Sequence, residues 1–117
     1  MSLQIETEVN RGTLVVRLKG ELDHHSADAV KARIEQAIER GDAHHIVLSM
    51  KDLTFMDSSG LGVIIGRYKQ ITARGGKMVV CDVSPSIYRL FEMSGLFKIL
   101  SILESEQHAL SSLGGVS

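Results

Sequence analysis

Two adjacent serines, an aspartate and three glycines stand where an apolar helix should begin, in "DLTFMDSSGLGVIIGRYK" from Asp52 to Lys69. A serine hydroxyl can cap a helix, attack as a nucleophile or accept a phosphoryl group. Nucleophilic use needs an oriented base, yet "DSSGLG" does not match G-x-S-x-G and no histidine has an obvious oriented relation to Ser58. A phosphoacceptor asks only that its surroundings tolerate an anion. A helix N-terminus does so, because its first N–H groups lack intrahelical partners and carry partial positive charge. Phosphate on Ser58 or Ser59 would add about −1.5 to −2 charges at pH 7. Plain capping competes with this reading, since Asp and Ser are favoured N-caps. Capping explains the serines but not Gly60, Gly62 and Gly66, each of which costs a helix interior roughly 0.5–1 kcal/mol relative to alanine. Close packing on a sheet, or close approach of a partner, would explain them.

A second polar stretch, "GELDHHSA" from Gly20 to Ala27, belongs with the first. If the strand before it lies parallel to "HIVLSM" (45–50), then Glu21, Asp23 and His24 neighbour Ser58. An acidic loop beside a phosphorylatable serine is poor catalytic equipment but suits recognition of a basic partner. A solvated turn with Ser26 capping the next helix is the alternative. Asp57 after a central strand could also be a receiver-type phosphoacceptor, but the first strand ends in no acidic pair to hold Mg²⁺. The doublets His24–His25 and His44–His45 lack the i, i+4 spacing of a helical metal pair. Cys81 in an apolar strand reads as a small buried hydrophobe. "RGGK" (74–77) lacks the phosphate-loop spacing.

The elements that position these residues follow from hydrophobic period. "LQIETEV" alternates, with Leu3, Ile5, Thr7 and Val9 on one face, "NRG" turns the chain, and "TLVVRLKG" continues with Leu14, Val16 and Leu18 inward. Ala27, Val30, Ile34, Ala37 and Ile38 recur at helical spacing between Ser26 and a stop at Gly41. "HIVLSM" and "MVVC" (78–81) read as buried strands. Leu61, Ile64, Ile65, Tyr68 and Ile71 form the apolar face of the helix after "DSSG". "SPSIYRLFEMSG" is a helix from Ser84 to Gly95 with Pro85 at its first position, "KILSIL" a last strand and "ESEQHALSSL" a last helix. The order ββαβαβαβα predicts an α/β fold: a mixed, mostly parallel sheet of about five strands with an antiparallel N-terminal hairpin and about four helices.

At 117 residues the expectation is one domain spanning 1–117, with the tail "GGVS" frayed. A formal charge of −1, no tryptophan and five Phe and Tyr argue against direct nucleic-acid binding. The N-terminus does not read as a signal peptide, and no apolar run approaches the roughly 20 residues that span a bilayer. A single cysteine excludes an intramolecular disulfide. A soluble cytoplasmic protein without membrane attachment is expected.

Three segments carry a resemblance: "GELDHHSA", "LTFMDSSGLGVIIGRYKQI" and "MVVCDVSPSIYRLFEMSGLFKIL". The chain resembles the STAS-domain anti-sigma factor antagonists, in particular those of the sporulation sigma-F switch, and "DSSGLG" is that family's most specific motif. The resemblance implies a STAS fold and a kinase substrate that is not itself an enzyme and holds no cofactor. It implies that the unphosphorylated form binds a GHKL-type ATPase kinase, the anti-sigma factor, which then releases its sigma factor. Ser58 maps onto the phosphoacceptor; Met56, Asp57, Ser59, Gly60, Leu61 and Gly62 surround it. Glu21, Asp23 and His24 map onto the neighbouring loop expected to meet the partner. A PP2C-type phosphatase would restore the active form, and ATP would belong to the kinase. The same serine chemistry could serve a general stress-response assembly, and a small-ligand or nucleotide-binding module is an alternative from another class. A monomer or weak homodimer is expected.

Overall fold

A computed structural model describes residues 2–114. Strands β1 (Leu3–Asn10) and β2 (Thr13–Leu22) form an antiparallel hairpin in which Asn10 pairs with Thr13. The two residues between them, Arg11 and Gly12, have φ of 53° and 82°, the doubly left-handed backbone whose twist suits a two-residue hairpin. Helix α1 (Ala27–Glu39), β3 (His45–Met56), α2 (Ser58–Ala73), β4 (Met78–Cys81), α3 (Pro85–Ser94), β5 (Ser101–Leu103) and α4 (Glu106–Ser112) follow. The sheet order is β1-β2-β3-β4-β5, parallel throughout after the hairpin. The expected α/β architecture and element order are therefore what the chain adopts.

Both faces of the sheet are covered. Leu14, Val16, Leu18 and Leu22 of β2 join Ile46, Leu48 and Met50 of β3 under α1, α2 and α3. All five residues singled out on α1 are buried there. On the opposite face Val15, Val47, Val79 and Cys81 pack beneath Ala109 of α4. Doubly covered strands need continuous apolar runs, which is why "LVV", "IVL" and "MVV" show no alternation. The Cys81 thiol is sealed there; burial, helped by the nearby Asp82 charge, pushes its pKa up to about 12.

Several local expectations need correction. β3 runs on six residues past "HIVLSM" to Met56. Its pairing with β2 shifts between Arg17 and Lys19 and again between Gly20 and Glu21, with one extra β3 residue each time. Such bulges hide a strand's period while bending its end. Val9 lies outside the core, 52% exposed. "KILSIL" is strand only at Ser101–Leu103. Gly95 (φ 79°) ends α3, and a 3-10 turn at Leu96–Lys98 then drops Leu96 and Leu100 into the core at helical spacing. Of the tail expected to fray, residues 115–117 lie outside the described residues.

Candidate functional site at the start of helix α2

Parallel pairing brings the two polar stretches together at the carboxyl edge of the sheet, where open α/β sheets gather binding groups. Glu21 pairs with Phe55 and Leu22 with Met56, so the β2–α1 loop flanks the β3–α2 turn. Asp57 joins them. Its Oδ1 accepts hydrogen bonds from the amides of Ser59 (2.9 Å) and Gly60 (3.3 Å), and its Oδ2 accepts one from the His24 amide (3.2 Å). The N-cap of α2 is thus Asp57, in extended backbone (φ −114°, ψ −170°).

This frees the serines. Ser58 is exposed and Ser59 half-buried, and among the described residues neither hydroxyl makes a hydrogen bond. One expectation changes: the Ser59 and Gly60 amides are already taken by Asp57. A phosphate on Ser58 would therefore lie beside a carboxylate, outside an occupied cap, and add its charge to the surface.

The loop is held by a different serine geometry from the one expected. Ser26 occupies the N-cap position of α1 as expected, but its side chain makes no cap hydrogen bond; its Oγ donates to the Glu21 carbonyl at 2.8 Å and accepts from the Asp23 amide at 3.0 Å. The Asp23 carboxylate instead accepts from the amides of His25 (2.9 Å) and Ser26 (3.1 Å). Desolvation alone would raise its pKa, but these hydrogen bonds outweigh it and hold the carboxyl below its ordinary value. Asp23 therefore keeps its charge while its loop is fixed; Glu21 is half-buried and His24 exposed.

The glycines separate into two kinds. A Cβ at Gly60 would come within 2.7 Å of Met56 Cγ, 2.8 Å of Leu22 Cγ and 3.0 Å of the Leu22 carbonyl oxygen, so only glycine lets α2 seat on the ends of β2 and β3. At Gly62 and Gly66 a Cβ would meet nothing within 4 Å. Packing inside the chain explains the first and leaves the other two for something outside it.

Not every residue expected on this surface lies there. Met56 is 3% exposed, beneath Gly60, and Leu61 is half-buried against the core. Phe55 points outward instead, 47% exposed, and sequence reading missed it. Adjacent residues of a strand face opposite sides, so Phe55 turns out as Met56 turns in, but the register shifts against β2 hide that period in the sequence. The expected α2 face packs on the core, with Leu61, Ile65 and Tyr68 half-buried against it, but it also includes the buried Val63 and Arg67.

Comparison with known proteins identifies the family. Residues 4–109 match the STAS domain family model. The chain is 59% identical over 117 residues to the anti-sigma F factor antagonist of Paenibacillus polymyxa, covering all of both chains. It superposes on the anti-sigma factor antagonist SpoIIAA in its unphosphorylated form with a TM-score of 0.76 and 33% identity, covering 98% of this chain and all of the other. The phosphorylated form of the Bacillus cell fate determinant SpoIIAA gives a TM-score of 0.75 and 36% identity, covering 95% and 98%. With the same domain along nearly its whole length and such close relatives, the chain belongs to the STAS domain family, among its anti-sigma factor antagonists.

Proposed function

We propose that the chain is an anti-sigma factor antagonist of the sigma-F type, active in sporulation and switched by phosphorylation of Ser58. The unphosphorylated form docks on its anti-sigma factor, a serine kinase of the GHKL type, through the surface formed by Glu21, Asp23, His24, Phe55, Ser59 and Gly62. Docking displaces the sigma factor. Phosphoryl transfer to Ser58 Oγ ends the contact, and a PP2C-type phosphatase restores it. The chain works in the cytoplasm as a binding component, with catalysis left to the kinase and phosphatase.

The observation that carries this reading is the division of labour between Asp57 and Ser58. Asp57 caps the helix, so the adjacent exposed hydroxyl has no structural duty. A phosphate there would change the surface without removing any interaction that builds the fold. The existence of a relative in both unphosphorylated and phosphorylated forms with similar likeness to this chain supports a fold that tolerates the modification. Reversing a partner equilibrium from mostly bound to mostly free needs roughly 3–5 kcal/mol of differential affinity. A screened surface pair of ~0.2–1 kcal/mol is too weak, so Ser58 has to sit inside the contact.

The test is intact mass after incubation with the anti-sigma factor kinase and ATP, wild type against Ser58→Ala. One added phosphate that disappears in the variant supports the reading. A phosphate that persists in Ser58→Ala moves the acceptor elsewhere, and none in either, with an active kinase, ends the proposal.

A further inference from the structure

Helices α1 and α2 both leave parallel strands, so they lie side by side with their N-termini at the same edge. Between them runs a groove of about 280 Å³ lined by His24, Asp28, Lys31, Ser59, Gly62 and Arg67 among others. Arg67 is 9% exposed. Its Nη2 reaches one carboxylate, Glu35 on α1, at the long distance of 3.6 Å. Its Nε and Nη1 are buried without a hydrogen-bond partner among the described residues. A guanidinium carries five donors, and leaving them unmet in the interior is costly. Gly62, on the same helix, also lines the groove and presents no side chain to it, and a Cβ there would meet nothing within 4 Å. A glycine that nothing in the chain requires and an arginine whose donors nothing among the described residues satisfies thus line one groove.

We propose that this groove binds an oxyanion, a phosphate or a carboxylate group, held by Arg67 and Lys31. Arginine's fork matches either oxyanion and lysine adds a point charge. Gly62 keeps the space open. Glu35 acts as a weak internal competitor for the guanidinium, to be displaced when the anion enters. The site is independent of the phosphoacceptor assignment, since it requires neither kinase nor a phosphate on Ser58.

The test is a titration of the unphosphorylated, full-length chain with inorganic phosphate and, separately, acetate at constant ionic strength, followed by amide and Arg Nε–H resonances. Saturable shifts of Lys31, Ser59, Gly62 and the Arg67 Nε–H are expected. Arg67→Met should weaken the response at least about tenfold, the size expected for losing a charge-assisted hydrogen bond. Gly62→Leu should block it, and Glu35→Gln should tighten it, which a purely structural Arg67 would not do. Stronger saturation by phosphate identifies a phosphate or phosphomonoester ligand, and stronger saturation by acetate an acidic side chain. Should Arg67→Met fail to fold, Gly62→Leu and Glu35→Gln still decide. Shifts that stay linear in anion concentration, or that are identical in Gly62→Leu and wild type, overturn the proposal.

Discussion

The Asp57 carboxylate accepts the His24 amide hydrogen at 3.2 Å, across 33 residues of sequence, while its other oxygen caps α2. One side chain therefore fixes a helix start and clamps the β2–α1 loop against it. Because both halves of the proposed contact surface are registered by this carboxylate, Asp57 is a positioning residue beside the proposed acceptor serine.

Asp57→Ala should lower stability by about 1–2 kcal/mol, the upper half of the range for a lost N-cap, since the loop clamp goes with it. Asp57→Asn keeps an accepting oxygen for the Ser59 amide but cannot also accept from His24, so its loss should be about half. Urea unfolding measures both. Equal losses would mean that the His24 bond carries the whole effect.

Gly60→Ala and Gly62→Ala, two residues apart in one helix, should shift stability in opposite directions. At Gly60 the new methyl meets Met56, Leu22 and the Leu22 backbone oxygen, and overpacking against backbone costs about 1–3 kcal/mol. At Gly62 the methyl meets nothing, so replacing a helical glycine should add about 0.5–1 kcal/mol. A pair of thermal melts settles the signs. If Gly62 serves the groove or a docking contact, its more stable variant binds less well, which is the trade expected of a glycine kept for function.

What the sequence disclosed, and what it hid, follows from the range of the interactions concerned. Helix α1 was legible because Ala27, Val30, Ile34, Ala37 and Ile38 all face one apolar sheet, a local pattern with a single reading. The association of "GELDHHSA" with "DSSGLG" was legible because parallel pairing follows from strand order. The end of β3 was not, because two register shifts against β2 break its alternation and Thr54 spends its hydroxyl on the Gly20 carbonyl. Ser26 looked like a cap but bonds to residues before it, at Glu21 and Asp23. Arg67 drew no notice in the sequence, since its burial and its pairing with Glu35 of α1 depend on how two separate helices pack.

Acid should weaken the fold in two stages. His45 Nδ1 accepts the Lys77 amide hydrogen at 3.0 Å, which requires an unprotonated nitrogen. Burial chiefly, with the His44 and Lys77 charges, lowers the His45 pKa below 6.5. A histidine depressed in the folded state contributes stability that is present above its unfolded value and declines as pH falls below it. Glu106 meets Arg17 at 2.8 and 2.9 Å, and that hydrogen bonding, against the effect of burial, holds its carboxyl below 4.5. Its contribution is present above 4.5 and lost as pH falls through the lower folded value. Stability measured from pH 8 to 3 should therefore fall first below about 6.5 and again below about 4.5. His45→Gln should remove only the first stage and Arg17→Met only the second; a single stage unaffected by either substitution would contradict the assignment.

The Cys81 thiol should react with a disulfide reagent only when the protein opens. Its side chain is 0% exposed between β3, β5 and α4, and with a pKa near 12 almost none is thiolate at pH 8. Labelling rates across a urea series should follow the population of the open form, reaching the free-thiol rate above the unfolding midpoint. Rapid labelling in buffer would show that α4 frays independently of the sheet.

Phe55 and Met56 offer the sharpest separation of contact from fold. They are neighbours at the end of β3, one 47% and the other 3% exposed. An aromatic side chain at the edge of a docking surface is the type that becomes buried against a partner, and truncating such an anchor costs about 2 kcal/mol or more of binding. Phe55→Ala should therefore weaken binding to the anti-sigma factor about thirtyfold or more while leaving the unfolding midpoint nearly unchanged. Met56→Ala should do the reverse in the first instance, losing about 2–5 kcal/mol of stability by opening a cavity beneath Gly60, with any binding loss following from the fraction unfolded. Calorimetry for affinity and urea unfolding for stability, on the same two variants, read the two effects apart. If Phe55→Ala binds as wild type does, the contact lies wholly on the α1–α2 side of Ser58, over His24, Ser59 and Gly62.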